Sequence, residues 1–88
     1  MDRRVLAAER EIEPGLTLAV STTSGYSVHR GADYIGWIHA SVGDRWQAYV
    51  RVPGGLGRHL GKLRQDDAVR AIARAWDDEV GARHSGTS

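Results

Sequence analysis

Apolar and polar residues alternate with a period of two through the middle of the chain. In the segment RWQAYVRV, Trp46, Ala48 and Val50 fall on one side of an extended strand, and mostly polar residues fall on the other. Short glycine-containing sequences separate this segment from its neighbours. Such short connections predict antiparallel hairpins, because parallel strands need a long crossover. The alternation predicts three strands: 34–41, 45–52 and 57–63.

The flanking segments predict further elements. Two segments rich in β-compatible residues, 16–21 and 26–30, are additional strand candidates. Before them, residues 5–12 are compatible with a short helix that Pro14–Gly15 would end. After residue 65 the period becomes that of a helix, which we expect to end near Gly81. Its apolar stripe has the spacing i, i+3, i+4, i+7 and i+11: Val69, Ile72, Ala73, Trp76 and Val80.

These patterns predict an α+β fold, an antiparallel β-sheet of three to five strands with one C-terminal α-helix packed on one face. We expect a single domain over 15–83, an N-terminal extension over 1–14 that is a short helix or disordered, and a flexible tail over 84–88. The helix can bury its stripe only against the sheet. The predicted core is Ile38, Trp46, Ala48, Val50, Leu60, Val69, Ile72 and Trp76.

The charge of the chain is unevenly distributed. The 88 residues carry a net charge of only +1, but residues 26–64 hold six Lys or Arg against two Asp. The segments 1–14 and 65–88 are both acidic overall. The chain has no cysteine, which excludes disulfides and thiolate metal sites. It also has no apolar run long enough for a membrane span and no signal-peptide core, which predicts a cytoplasmic protein without membrane contact.

The sheet face opposite the predicted helix, here called the free face, is rich in aromatic and basic residues. The alternation places Trp37, Tyr49 and Arg51 there, together with Ile35. Cations at its margins could support binding to an anionic partner. The candidate binding residues are Trp37, His39, Arg45, Gln47, Tyr49, Arg51, Arg58, His59, Lys62 and Arg64.

The order of three strands and a helix over residues 34–80 resembles a known DNA-binding arrangement. It is similar to the DNA-binding domains of plant apetala-type and ethylene-response factors and to the amino-terminal arm-binding domains of tyrosine integrases. The resemblance implies that the free face lies in the major groove of duplex DNA, where Arg51 keeps a basic residue. The residues that carry it form W-x-A-x-V-R-x-P, L-G-x-L and an Asp-Ala helix start: Trp46, Ala48, Val50, Arg51, Pro53, Leu60, Gly61, Leu63, Asp67 and Ala68.

Three arrangements account for the free face. In the first, a small accessory or regulatory protein binds nucleic acid, with cations neutralising phosphates and Trp37 and Tyr49 available to stack on bases. In the second, the face contacts a protein partner or a second copy, because Trp, Tyr and Arg are enriched in interface cores and an exposed Ile35 needs cover. In the third, residues 1–30 fold over the face and leave no site.

The sequence favours a function without catalysis. Four histidines, His29, His39, His59 and His84, are candidates for metal or acid–base chemistry. No carboxylate or cysteine is predicted beside them, so we expect no metal site, no cofactor and no enzyme activity. The glycines of 54–57 precede a strand rather than a helix, which indicates a hairpin turn and not a phosphate-binding loop.

Overall fold

A computed structural model of the chain describes residues 9–22, 25–52 and 57–86. Over these residues the chain forms one antiparallel sheet, with its strands in sequence order, followed by one helix. The α+β class and the C-terminal helix are confirmed, but the sheet has six strands rather than three to five. The elements are β1 (Glu9–Glu13), β2 (Leu16–Thr22), β3 (Gly25–Arg30), β4 (Asp33–Ala40), β5 (Arg45–Val50), β6 (Arg58–Arg64) and α1 (Gln65–Gly86).

Strand β1 includes residues 9–12 of the short helix that the sequence pattern predicts over 5–12, so that prediction is wrong for those residues. Pro14–Gly15 forms the turn between β1 and β2, and Gly15 takes the positive φ of 81° that favours glycine. An isolated helix of this length is marginal in water. Pairing with β2 instead satisfies the backbone of β1 along one edge. Residues 5–8 of the predicted helix lie outside the described residues.

Register shifts in three strands each add one apolar residue to the core. The extra residues are Ile12 in β1, Ile35 in β4 and Leu60 in β6. A bulge of this kind leaves one residue without a partner and changes which residues face each side. Ile35 is fully buried in the core, and Ile12 and Leu60 pack against it. The expectation that Ile35 lies on the free face is therefore wrong.

Helix α1 packs mainly on β4, β5 and β6 and also touches β2 and β3. Val69, Ile72 and Ala73 of the predicted stripe are buried, and Trp76 packs against the core while partly exposed. The helix continues to Gly86, beyond the predicted end, and overlaps the predicted flexible tail. The buried core comprises Leu16, Leu18, Val28, Ile35, Ile38, Ala48, Val50, Ala68, Val69, Ile72, Ala73 and Ala75.

The helix comes closest to the sheet at Gly36. A Cβ atom at this position would lie 2.7 Å from Ile72 Cγ2 and closer still to the carbonyl oxygen of Tyr49. The missing side chain therefore lets α1 approach β4 directly. Within the described residues, no helix is long and apolar enough to cross a membrane.

Polar contacts join β1 to the first turns of α1. Arg10 donates a hydrogen bond to the side chain of Gln65, and its guanidinium lies 3.0 Å from the Asp66 carboxylate. Arg70 donates to Glu13 at 2.8 Å, and this hydrogen bond raises the pKa of Arg70. Because α1 follows β6 directly, these contacts bring the first strand of the sheet close to the end of the last. The sheet therefore curves around the helix.

Candidate binding site on the free face

Strand register places the side chains of the free face in rows that cross the sheet. Every residue of these rows belongs to a strand or directly follows one, so the backbone ladder fixes its position. Among the described residues, the rows contain no Val, Ile or Leu. The central row is Ala19, Ser27, Trp37, Tyr49 and His59. The row on one side is Glu11, Thr17, His29 and Tyr34, and that on the other is Gly25, His39, Gln47 and Lys62.

An aromatic cluster centred on Tyr49 occupies the middle of the free face. The rings of Trp37 and Tyr49 stack with their centroids 5.2 Å apart and an interplanar angle of 11°. His59 lies 5.0 Å from Tyr49, and His39 meets it edge-on at 6.4 Å. Cross-strand aromatic pairs stabilise an antiparallel sheet. These contacts also hold Trp37 in a fixed position before any ligand binds.

The indole of Trp37 is further positioned by the backbone of Gly57, which precedes β6. A Cβ atom at Gly57 would lie 2.9 Å from both Cζ2 and Cζ3 of Trp37 and closer to Cη2. The ring therefore lies against the glycine backbone, where a side chain would displace it. Trp37 is consequently half-buried between Tyr49 and Gly57 although it belongs to the free face.

We expect Gly57→Ala to displace the Trp37 indole while leaving the helix-side core intact. The new methyl group meets only a side chain, and a side chain can rotate away, so the loss of stability should be about 1–2 kcal/mol. Near-ultraviolet circular dichroism should change, because Trp37 loses its stack with Tyr49. An unchanged near-ultraviolet spectrum would contradict the contact between Gly57 and the indole.

A second cluster adjoins the first at one end of β4 and β5. The guanidinium of Arg51 lies 4.8 Å from the centroid of the Tyr34 ring and donates a hydrogen bond of 3.1 Å to the Tyr34 carbonyl oxygen. On β3, the other strand that pairs with β4, the His29 ring has its centroid 5.5 Å from that of the Tyr34 ring. Stacking on an aromatic ring leaves one face of a guanidinium open to a further planar group. The contacts with Tyr34 therefore fix the orientation of the positively charged Arg51 guanidinium.

Further cations follow the free face along β5 and β6. Lys62 pairs with Gln47, and Arg64 pairs with Arg45 at the next position on this face. Asp44 lies 3.6 Å from Arg45 and 3.8 Å from Arg64. These contacts are long and their side chains are mostly exposed, so they contribute little and leave both guanidinium groups accessible.

Asp44 lies beside these cations, and Glu11 lies on the free face at the opposite end of the sheet order. Glu11 and Glu13 belong to β1, the strand farthest from β6 in the sheet order. Asp77 and Asp78 are exposed on α1, which covers the opposite face of the sheet. Along β5 and β6 the cations Arg45, Lys62 and Arg64 therefore outnumber the nearby carboxylate of Asp44.

The structure brings nine of the ten predicted binding residues to the free face. Arg58 is the exception, because it pairs with the buried Val50 and so lies on the helix side of β6. The sequence analysis missed Ser27, His29 and Tyr34 as members of this surface. Ser27 Oγ lies 2.9 Å from His29 Nε2 and 3.3 Å from the carbonyl oxygen of Ala19. Period-two alternation in 26–30 is the sequence signal that could have placed Ser27 and His29 there.

The N-terminal strands extend the sheet sideways instead of covering the free face. β1, β2 and β3 pair in order with β4 at their edge, and their apolar side chains join the helix-side core. The arrangement in which residues 1–30 cover the face is therefore wrong for the part of that segment that the structure describes. Across the described ranges, no group of three or more His, Asp or Glu side chains could hold a metal ion.

Comparison of the chain with models of protein families, with curated proteins and with solved structures finds no match. Any function assigned to the free face therefore depends on its own chemistry. That chemistry combines an aromatic centre with cations along β5 and β6, on a face whose described residues include no Val, Ile or Leu.

Proposed function

We propose that the protein binds nucleic acid through the free face and acts without catalysis, as an accessory or regulatory factor. The observation that carries the proposal is the position of Arg45, Lys62 and Arg64 beside the aromatic cluster, where the three cations outnumber the nearby carboxylate of Asp44. Cations that neutralise phosphates supply most of the affinity for nucleic acid. Aromatic rings add contacts to the bases.

The composition of the face favours this proposal over a protein partner. The core of a protein–protein interface usually contains buried apolar residues. Ile35 was the aliphatic residue that the sequence pattern placed on the free face for such a contact. Ile35 lies instead in the core, and Trp37 is already packed on Tyr49 and Gly57. The described residues of the face therefore offer a partner protein aromatic surface, such as the exposed ring of Tyr34, but little aliphatic surface to bury. A protein partner or a homodimer stays the alternative outcome of the binding tests.

Duplex DNA, the ligand that the resemblance implies, would have to meet only part of this face. Six strands spaced by about 4.8 Å span about 24 Å, whereas the major groove is about 12 Å wide and admits a two-stranded ribbon. The hairpin of β5 and β6 is the ribbon that carries the free-face cations. A duplex would therefore contact Gln47, Lys62 and Arg64 before it could reach β3.

Two cations on β6 provide a matched test of the proposal. Lys62 lies on the free face and Arg58 on the helix side, and both are exposed. We expect Lys62→Ala to weaken nucleic-acid binding several-fold and to lower the slope of log affinity against log salt by about 0.7–0.9. Arg58→Ala removes the same charge and should leave the slope nearly unchanged.

The measurement is fluorescence anisotropy with labelled oligonucleotides, single-stranded and duplex, between about 50 and 200 mM salt. Equal effects of the two substitutions would indicate non-specific attraction to net charge and contradict a site on the free face. Absence of binding at the lower salt concentration would contradict the proposed function itself and favour the protein-partner alternative.

A further inference from the structure

Planar or polar pairs follow one another along β4 and β5 of the free face. Consecutive pairs are separated by two residues on β5, which corresponds to about 6.7 Å along a strand. One pair is a guanidinium on a phenol, the next is the stacked indole and phenol, and the third is polar. The pairs are Tyr34 with Arg51, Trp37 with Tyr49, and His39 with Gln47.

This spacing is about twice the 3.4 Å that separates stacked bases along one strand of a duplex. The first two pairs are here called the Arg51 platform and the Trp37 platform, because each offers a planar group on which a base can stack. Bases that remain stacked on each other cannot each contact a separate platform when the platforms are about 6.7 Å apart. A single strand can, because its bases are free to separate and stack on protein side chains instead. The spacing of the platforms therefore favours an unpaired ligand over a duplex.

The cations lie on one side of these platforms. Lys62 lies on β6 beside Gln47, with Arg64 at the next position, whereas β3 on the other side presents Ser27 beside Trp37 and His29 beside Tyr34. A strand laid along β4 and β5 would thus place its phosphates near β6 and its bases over Trp37 and Arg51. Ser27, the β3 neighbour of Trp37, is small and leaves room for a base beyond the edge of the indole.

We propose that the free face binds single-stranded nucleic acid, with the phosphates along β6 and the bases on the Trp37 and Arg51 platforms. This inference rests on the proposed function, since it specifies the ligand of the same site. Trp37 and Arg51 are its stacking residues. Tyr49 is a positioning residue that holds Trp37 between itself and Gly57.

The test compares three labelled probes of one sequence, about 16 nucleotides long: single-stranded DNA, single-stranded RNA and duplex DNA. The full chain should bind at least one single strand about tenfold more tightly than the duplex. Trp37→Ala should weaken single-strand binding about fivefold to a hundredfold, and Trp37→Phe should recover most of that loss. The same substitutions should weaken the residual duplex binding by a much smaller factor. The tighter of the two single strands identifies the sugar that the site prefers.

Because Trp37 also packs on Tyr49 and Gly57, each variant is first checked by thermal melting. Arg51→Ala removes the second platform and should weaken single-strand binding several-fold even if Trp37→Ala does not fold. Duplex binding as tight as single-strand binding, with Trp37→Ala and Arg51→Ala inert and Lys62→Ala effective, would overturn the single-strand inference and leave the proposed function standing. Failure of all three probes to bind would overturn both.

Discussion

Gly36→Ala is expected to destabilise the protein by about 3 kcal/mol or more, because the added methyl group has no space between the helix and the sheet. The new Cβ would meet two groups at once, Ile72 Cγ2 on the helix and the backbone carbonyl of Tyr49 on the adjacent strand. The carbonyl belongs to the sheet ladder and cannot rotate away as a side chain can. Denaturant unfolding, followed by far-ultraviolet circular dichroism, measures the loss.

A second substitution separates the two clashes. Ile72→Leu removes the Cγ2 branch at little cost in volume, so it should restore part of the stability of Gly36→Ala but not all of it, because the Tyr49 carbonyl remains. Gly57→Ala is the matched glycine control, since its new methyl group meets only the movable Trp37 ring. A Gly36→Ala variant that unfolds at the wild-type denaturant concentration would show that α1 does not cross β4 at this point.

The sequence predicted much of the sheet because alternation reports which side of a strand is buried. Trp37, Gln47 and Tyr49 were assigned correctly to the free face, since no bulge interrupts the pairing of β4 with β5 between Gly36 and Ala40. Ile35 was assigned wrongly because the bulge beside it shifts the alternation by one residue. An extra residue in one strand is defined by its partner strand, so the local pattern does not reveal it.

Other features depended on contacts between distant parts of the chain. Glu9–Glu13 contains only one apolar residue, Ile12, and such a short segment carries little information about helix or strand. Its conformation is decided by pairing with β2 and by the contacts of Arg10 and Glu13 with α1. The sequence likewise could not show on which face of β6 Arg58 lies, because a cation on an edge strand is exposed on either face.

The candidate site was easier to predict where its residues are close together in the sequence. Arg45, Lys62 and Arg64 belong to the single hairpin of β5 and β6, so residues that are near in sequence are also neighbours in space. The stack of Trp37 on Tyr49 follows similarly from the hairpin of β4 and β5. In contrast, the cluster of His29, Tyr34 and Arg51 spans three strands, and its geometry depends on the register shift at Ile35.

Leu18→Ala is expected to destabilise the protein by about 2–5 kcal/mol, the cost of truncating a fully buried leucine. Leu18 lies on β2, outside the segment 34–80 whose order of elements resembles a three-stranded sheet with one helix. It is nevertheless buried in the same cluster as Val28, Val50 and Ile72. If the six strands and the helix share this core, a change in β2 must weaken the whole molecule.

Thermal unfolding should then show one transition, with its midpoint lowered by about 10 °C or more for a domain of this size. Val20→Ala is the matched control, because Val20 lies on the same strand and side but is 55% exposed, and it should shift the midpoint only slightly. Equal, small shifts for both variants, or two separate transitions, would show that β1 to β3 fold independently of the sheet and helix over 34–80. A large shift for Leu18→Ala alone would mean that the platforms on β4 and β5 depend on strands that the resemblance does not include.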